Sequence, residues 1–225
     1  MRPFPIPLRD AVLIRRYKRF LADVRFRDGG EATVHCPNPG AMTGMADPGA
    51  RVLVSRRDDS RRKLPWTWEL VQSGRSWVAV NTALANPVVR HWLERGDLWP
   101  DVKFERAEVK HGDVRFDFGL ADGGLLEVKT VTLMGPRGLA AFPDSKTERG
   151  RRHIDTLADL QGIRRVLLFF VARGDARAVR PADEIDPAYG AALRRAVARG
   201  VEVHAVRAHF SPHGVRRGPF LDVIL

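Results

Sequence analysis

The sequence predicts a mixed α/β protein, α+β overall, in two parts: a small β-barrel over residues 1–82 and an α/β domain over 83–225. Short alternating or apolar runs, broken by turn residues, crowd the first part, and none has a helical period. After Asn81 the pattern changes to longer elements in the order α-β-β-β-α-β-α-β. The charge changes as well. Residues 1–82 carry 15 Lys/Arg against 8 Asp/Glu, net +7, whereas 83–225 carry 23 against 19, net +4.

In the first part, strands are expected at 11–16, 19–26, 31–36, 51–56, 66–72 and 77–81. Asp28-Gly29-Gly30 is a turn, and Pro37-Asn38-Pro39-Gly40 opens a long loop running through Gly44 to Pro48-Gly49. Five or six strands in so short a stretch suit an OB-like barrel, which closes its edges with that number. In the second part, Asn86-Pro87 reads as N-cap and first turn of a helix ending at Gly96, with Val88, Val89, Trp92 and Leu93 as its stripe. Extended segments follow at 102–111, 114–121 and 125–132, joined by His111-Gly112-Asp113 and Asp122-Gly123-Gly124 turns. A loop around Gly135-Pro136 and Pro143 leads to a helix over 145–161, with Ser145-x-x-Glu148 as a capping box. A buried strand at 165–171, an Ala-rich helix over 187–199 and a strand at 201–206 complete the order.

With 44% hydrophobic and 29% charged residues the chain can bury an ordinary core, which excludes a disordered protein. The net charge of +11 favours a polyanionic partner. A single cysteine, Cys36, excludes an internal disulfide and a cysteine-based zinc cluster. The proline-rich start lacks the apolar stretch of a signal peptide, and the longest apolar run, 166–172, is too short to span a bilayer, so no membrane association and a cytoplasmic location are expected.

The residues best suited to chemistry are Asp117 and, ten positions on, Glu127-Val128-Lys129. In a strand Glu127 and Lys129 share a face, and the intervening turn brings Asp117 within a residue or two of Glu127. Two carboxylates and an ammonium would then converge, a set that can hold Mg²⁺ or Mn²⁺, activate water and stabilise charge on a phosphate. The alternative is a solvated cross-strand ion pair. The flanking Leu126, Val128, Phe116 and Phe118 argue for an interior setting, where unpaired charge is costly.

Asp117…Glu127-Val128-Lys129 within this element order resembles the core of the PD-(D/E)XK nuclease-like superfamily. Segments 16–23 (Arg-Tyr-Lys-Arg-Phe-Leu-Ala-Asp), 35–44 (His-Cys-Pro-Asn-Pro-Gly-Ala-Met-Thr-Gly) and Trp68-Glu69-Leu70 resemble the sugar fermentation stimulation protein (SfsA) family. So do Val80-Asn81-Thr82, Glu108-Val109-Lys110, Phe142-Pro143-Asp144 and Thr147-Glu148-Arg149-Gly150. The resemblance implies an OB-like nucleic-acid-binding domain, a restriction-endonuclease-like αβββαβ domain, DNA binding without strong sequence preference and a link to regulation of sugar (maltose) metabolism. The motif's usual Pro-Asp reads Phe116-Asp117 here.

Superfamily sites often hold a further acidic ligand, for which Glu108 is the candidate and Glu94 the second choice; Glu108 reads equally as an exposed strand residue beside Lys110. For nucleic-acid binding the candidates are Arg15, Arg16, Lys18 and Arg19 in one basic group and Arg56 to Lys63 in another. Trp66 and Trp68, two apart, form a stacking platform or else core. Arg149, with His153 nearby, sits at a helix start suited to phosphate. DNA, duplex or single-stranded, is the expected partner, with RNA a second candidate; the oligomeric state stays open, a homodimer included. The expected reaction is metal-dependent phosphodiester hydrolysis. A non-catalytic DNA-binding regulator retaining the fold is the competing reading, and a sugar hydrolase using the two carboxylates ranks last because it leaves Lys129 and the basic excess idle.

Overall fold

The alternating apolar residues of the first strands line the inside of a barrel. The computed structural model describes residues 1–225. Strands β1 (Arg9–Tyr17), β2 (Leu21–Phe26), β3 (Glu31–His35), β4 (Arg51–Arg56) and β5 (Trp66–Ser73) carry Leu13, Val24, Val34, Val52 and Trp68 into one core. β1 pairs antiparallel with β2 and β4, β2 with β3 and β4 with β5, and a parallel β3–β5 contact closes the five-stranded circuit. The loop after β3 adds Cys36, Met42 and Met45 to the same core. β6 (Ser76–Ala79) pairs with β5 and, at Trp77, with Phe210 of the second part, so one hydrogen-bonded network of strands runs from the barrel into the rest of the chain.

Glu69 of β5 is buried where the barrel meets the following helix. Its carboxylate accepts hydrogen bonds from Ser55 Oγ at 2.6 Å and Asn81 Nδ2 at 2.8 Å. Burial pushes its pKa above the ordinary glutamate value, and the two donors only partly offset this. A carboxyl raised in the fold stabilises it below the unfolded pKa and loses that contribution as pH rises through the folded value. Glu69→Gln should therefore raise the melting temperature near pH 8 and lose that gain near pH 4, Ser55 Oγ serving as acceptor for the new amide. A gain that stays the same or grows on acidification would contradict this.

Beyond β6, a 3₁₀ turn at Thr82–Leu84 leads into α1 (Ala85–Glu94). Asn81 caps that turn by accepting from the Ala83 N–H, so the expected cap at Asn86 is incorrect: Asn86 lies inside the first helical turn. β7 (Phe104–His111), β8 (Val114–Leu120) and β9 (Leu125–Val131) follow. The region read as a loop contains β10 (Leu133–Met134), a 3₁₀ turn and β11 (Leu139–Phe142). α2 (Glu148–Asp159) begins later than expected. Its cap is Thr147, whose Oγ1 accepts from Gly150 N, and Asp186 holds the Thr147 N–H, so the Ser145-x-x-Glu148 box does not form. β12 (Arg165–Val171), the short β13 (Ala178–Pro181), α3 (Pro187–Ala198), β14 (Glu202–Ser211) and β15 (Gly214–Val223) complete the chain.

β12 is the middle of the second sheet, parallel to β9 on one side and β14 on the other. Its alternation sorts the two cores. Val166, Leu168 and Phe170 join Val88, Trp92 and Leu93 of α1, while Leu167, Phe169 and Val171 join Ile154 and Leu157 of α2 and Leu193 of α3. A strand apolar on both faces is what such a covered position demands. The fold is thus a closed five-stranded OB barrel joined to a sheet-rich α+β domain.

Candidate functional site

The same alternation on β9 sends Leu126 and Val128 toward α1 and leaves Glu127 and Lys129 on the α2/α3 side. β8 changes sides. Val114 and Phe116 enter the α2/α3 core and Phe118 and Leu120 the α1 core, so the strand turns over at Asp117. Its ladder with β9 stops there, after Gly119↔Leu125 and Phe118↔Leu126. Where the next backbone pair would form, Asp117 Oδ2 accepts the Val128 N–H at 2.7 Å, and Asn86 Nδ2 donates to Oδ1 at 2.6 Å.

Glu127, 3% exposed, accepts at Oε1 from Lys129 Nζ at 2.6 Å and is bonded there to His153 Nδ1 at 2.7 Å. Arg149 Nε reaches His153 Nε2 at 3.4 Å, which leaves Nδ1 as the protonated nitrogen that donates to Glu127. Glu127 Oε2 is buried with no partner. Burial, and next the charge of Glu127, hold the Asp117 carboxyl above the usual aspartate range. Burial alone would also raise Glu127, but the His153 hydrogen bond and the Lys129 charge overcome it and hold that carboxyl below its ordinary value. Tyr189 OH lies buried without a partner as well, pushed far up by burial and then by the negative charges of Glu127 and Asp186. One carboxylate biased toward the acid and one kept ionised beside an ammonium form an arrangement suited to proton and metal chemistry.

Glu108 does not join this cluster. The β7–β8 register places it across from Asp117, yet its φ of +56° belongs to the left-handed region, and its exposed carboxylate pairs with Arg115 at 3.0 Å. Glu94 pairs with Arg90 along α1. The structure holds no group of three His, Cys, Asp or Glu placed to ligate one metal ion, so the expected three-carboxylate set reduces to Asp117 and Glu127.

Residues 14–80 match the family described as the SfsA N-terminal OB domain, and residues 83–214 the sugar fermentation stimulation protein RE domain. The chain belongs to the SfsA family. The sugar fermentation stimulation protein homolog of Geobacter sulfurreducens is 46% identical over 227 residues, covering 98% of this chain and 97% of its own. That of Azotobacter vinelandii is 47% identical over 233 residues, covering 99% of each. The solved structure of Pyrococcus furiosus SfsA in complex with Ca²⁺ is 22% identical and covers 100% of both chains with a TM-score of 0.90, a likeness of fold.

Within this SfsA fold the basic candidates separate. Arg16 is turned inward, donating to the carbonyls of Asn38 and Gly40 at 2.9 Å, and so clamps the 38–44 loop instead of standing free. Arg15 pairs with Asp23 at 2.8 Å and stacks over Tyr17; Arg56 pairs with Asp58 at 3.0 Å. Lys18 and Arg19, at positive φ in the β1–β2 turn, and Lys63 are exposed. Arg149 is exposed too, with its Nε on His153. Trp68 is 0% exposed and donates Nε1 to Leu70 O, so the paired platform does not exist; only Trp66 is half-open, tilted against Phe26 at 5.1 Å. Asn86 and the Glu127 contact of His153 escaped the sequence reading. Asn86 was masked by its cap-like Asn-Pro spelling, and His153 meets its carboxylate only across a helix–strand contact 26 residues apart.

Proposed function

We propose that this SfsA-family protein binds DNA with little sequence preference and hydrolyses phosphodiester bonds at Asp117, Glu127 and Lys129 with a Mg²⁺ or Mn²⁺ ion. The observation that carries the reading is the buried, partnerless Glu127 Oε2 beside a second carboxylate and an ammonium. An orphaned carboxylate oxygen is costly unless a ligand completes it, and hard divalent cations take such oxygens. The donors therefore fit the ion, with Asp117 and Glu127 as its holders. The Pyrococcus furiosus relative, described in complex with Ca²⁺, adds support, since Ca²⁺ has the same taste for oxygen. Asp117…Glu127-Val128-Lys129 also spells the acidic and basic positions of PD-(D/E)XK nucleases. Bound there, the ion would lower the charge on a phosphate and acidify a water.

The chain's own groups do the rest. Asn86 and the Val128 N–H fix the Asp117 carboxylate, and His153 keeps Glu127 oriented and ionised. Lys129 Nζ orients the attacking water or stabilises the charge that develops on the transition-state oxygens. The test is a supercoiled plasmid incubated with Mg²⁺ or Mn²⁺, where nicking that stops on chelation is expected. Absence of cleavage by clean protein over varied DNA and RNA substrates would remove the hydrolytic half. A second reading, DNA binding without turnover, draws on the missing third ligand; it expects DNA retention with steep salt dependence and no metal-dependent change in DNA length.

The net charge of +11 and the exposed lysines support the binding half. Lys18→Ala and Lys63→Ala should each reduce the log–log salt slope of DNA affinity by about 1, measured by fluorescence anisotropy across a salt series. Slopes equal to wild type would take both lysines out of the interface. No helix is long and apolar enough to cross a membrane.

A further inference from the structure

Between barrel and second domain lies a cavity of about 380 Å³. Its walls are the 38–40 loop and the 141–147 segment, with Thr130 of β9, the strand that carries Lys129, and Thr132 just past its end beneath. The approach is close: a Cβ on Gly40 would strike the Asp144 carboxylate, which would have to move aside. Four properties define the ligand. Arg19 and Lys146 bring two cations, each without a carboxylate partner, against the single carboxylate of Asp144. Asn38, 2% exposed, lines the cavity, and its Nδ2 has no hydrogen-bond partner. α2 starts at the rim, where its cap Thr147 lines the cavity while Asp186 takes the Thr147 N–H from the other side. Only Ala141 and Phe142 among the lining residues are hydrophobic, unlike the apolar walls that receive bases or drug-like ligands.

We propose that this cavity binds a phosphorylated sugar unit, the phosphate held by Arg19, Lys146 and the unpartnered Asn38 Nδ2 and the sugar hydroxyls by Asp144 and the threonines. The excess of one positive charge selects the phosphate, and a carboxylate that repels phosphate accepts hydroxyl protons. Thr130 follows Lys129 directly and Thr82 lies one turn before Asn86, so the elements that carry the Asp117–Glu127 cluster also line the cavity. A strand terminus placed there would carry its neighbouring phosphodiester toward the carboxylates. The source of the ligand as a DNA strand rests on the proposed function; the cavity's preference for phosphate on a sugar does not.

Calorimetric titration with the metal chelated separates these. Ribose 5-phosphate should bind about ten-fold or more tightly than ribose, the value of a charge-assisted contact. Arg19→Ala and Lys146→Ala, both at exposed positions that the core does not use, should each weaken it about five-fold or more, while Arg95→Ala, just past the end of α1, leaves it unchanged. A 5′-phosphorylated oligothymidylate should displace ribose 5-phosphate and lose affinity in the same two variants, and its 5′-hydroxyl counterpart should not. Binding of ribose 5-phosphate without displacement by the oligonucleotide would uphold the cavity assignment and overturn the strand as its source. Equal affinity for ribose and ribose 5-phosphate, or equal losses in Arg95→Ala, would overturn the proposal whether or not the protein cleaves DNA.

Discussion

Lys129→Ala should abolish metal-dependent nicking, lowering the rate by roughly 10²–10⁴-fold, as expected when a positioned proton donor or charge stabiliser is lost. Lys129 Nζ is the one ammonium on the Glu127 carboxylate, at 2.6 Å, and its side chain is mostly buried beside the partnerless Oε2. Alanine there also leaves Glu127 with only His153, and removing one partner of a buried pair costs stability. Lys129→Gln separates the two effects. Its amide can still donate to Glu127 Oε1 but carries no charge, so the melting temperature should stay closer to wild type while nicking is still lost. Asp117→Asn should also lose nicking, because it removes the charge that would hold the ion, but it should lower the melting temperature, since an amide has one acceptor oxygen where Asn86 Nδ2 and the Val128 N–H each require one. Plasmid nicking timed over Mn²⁺ concentration reads all three. Retention of more than about a tenth of the wild-type rate in Lys129→Ala would remove the lysine from the reaction.

How much of this site could be read in advance follows from the reach of each signal. The period of two places Glu127 and Lys129 on one face, and the length of the turn brings Asp117 near them; both are local properties of a hairpin. The barrel is legible because its strands are short alternating or apolar runs broken by turn residues, and their number suits closure. Glu108 failed where regularity failed. A register shift between Phe104 and Arg106 and the left-handed φ at Glu108 itself break the alternation that a strand reading assumes. β10, β11 and β13 are two to four residues long and two of them pair in parallel across distant sequence, so no local pattern announces them. Asn86-Pro87 spells a helix cap, but an extra 3₁₀ turn capped by Asn81 precedes it, so α1 starts at Ala85 without a side-chain cap. The two short strands after β9 also carry the chain to the 141–147 segment, which is why the cavity facing Asn38 has no linear signature.

The two tryptophans of β5 should respond in opposite ways. Trp68→Ala should cost about 3–5 kcal/mol of stability, the range for deleting a large buried aromatic. The indole is fully enclosed in the barrel core with Val34, Cys36 and Val52, and its Nε1 donates to the Leu70 carbonyl, a hydrogen bond that alanine removes. Trp66 faces a different balance. It is half-open at the start of β5, packed against Phe26, with the Arg9 and Arg56 guanidinium groups 5.6 and 5.7 Å from its ring. Loss of this ring should leave the urea midpoint far closer to wild type than loss of Trp68, and should weaken oligothymidylate binding by about 1–3 kcal/mol, the value of one stacked base. Urea denaturation and anisotropy on both variants decide the matter. If Trp68→Ala keeps the wild-type midpoint but loses single-stranded DNA, the indole is a contact and not core. If Trp66→Ala binds as wild type does, the barrel holds DNA through its cations alone, and affinity should then vanish at high salt with no stacking remainder.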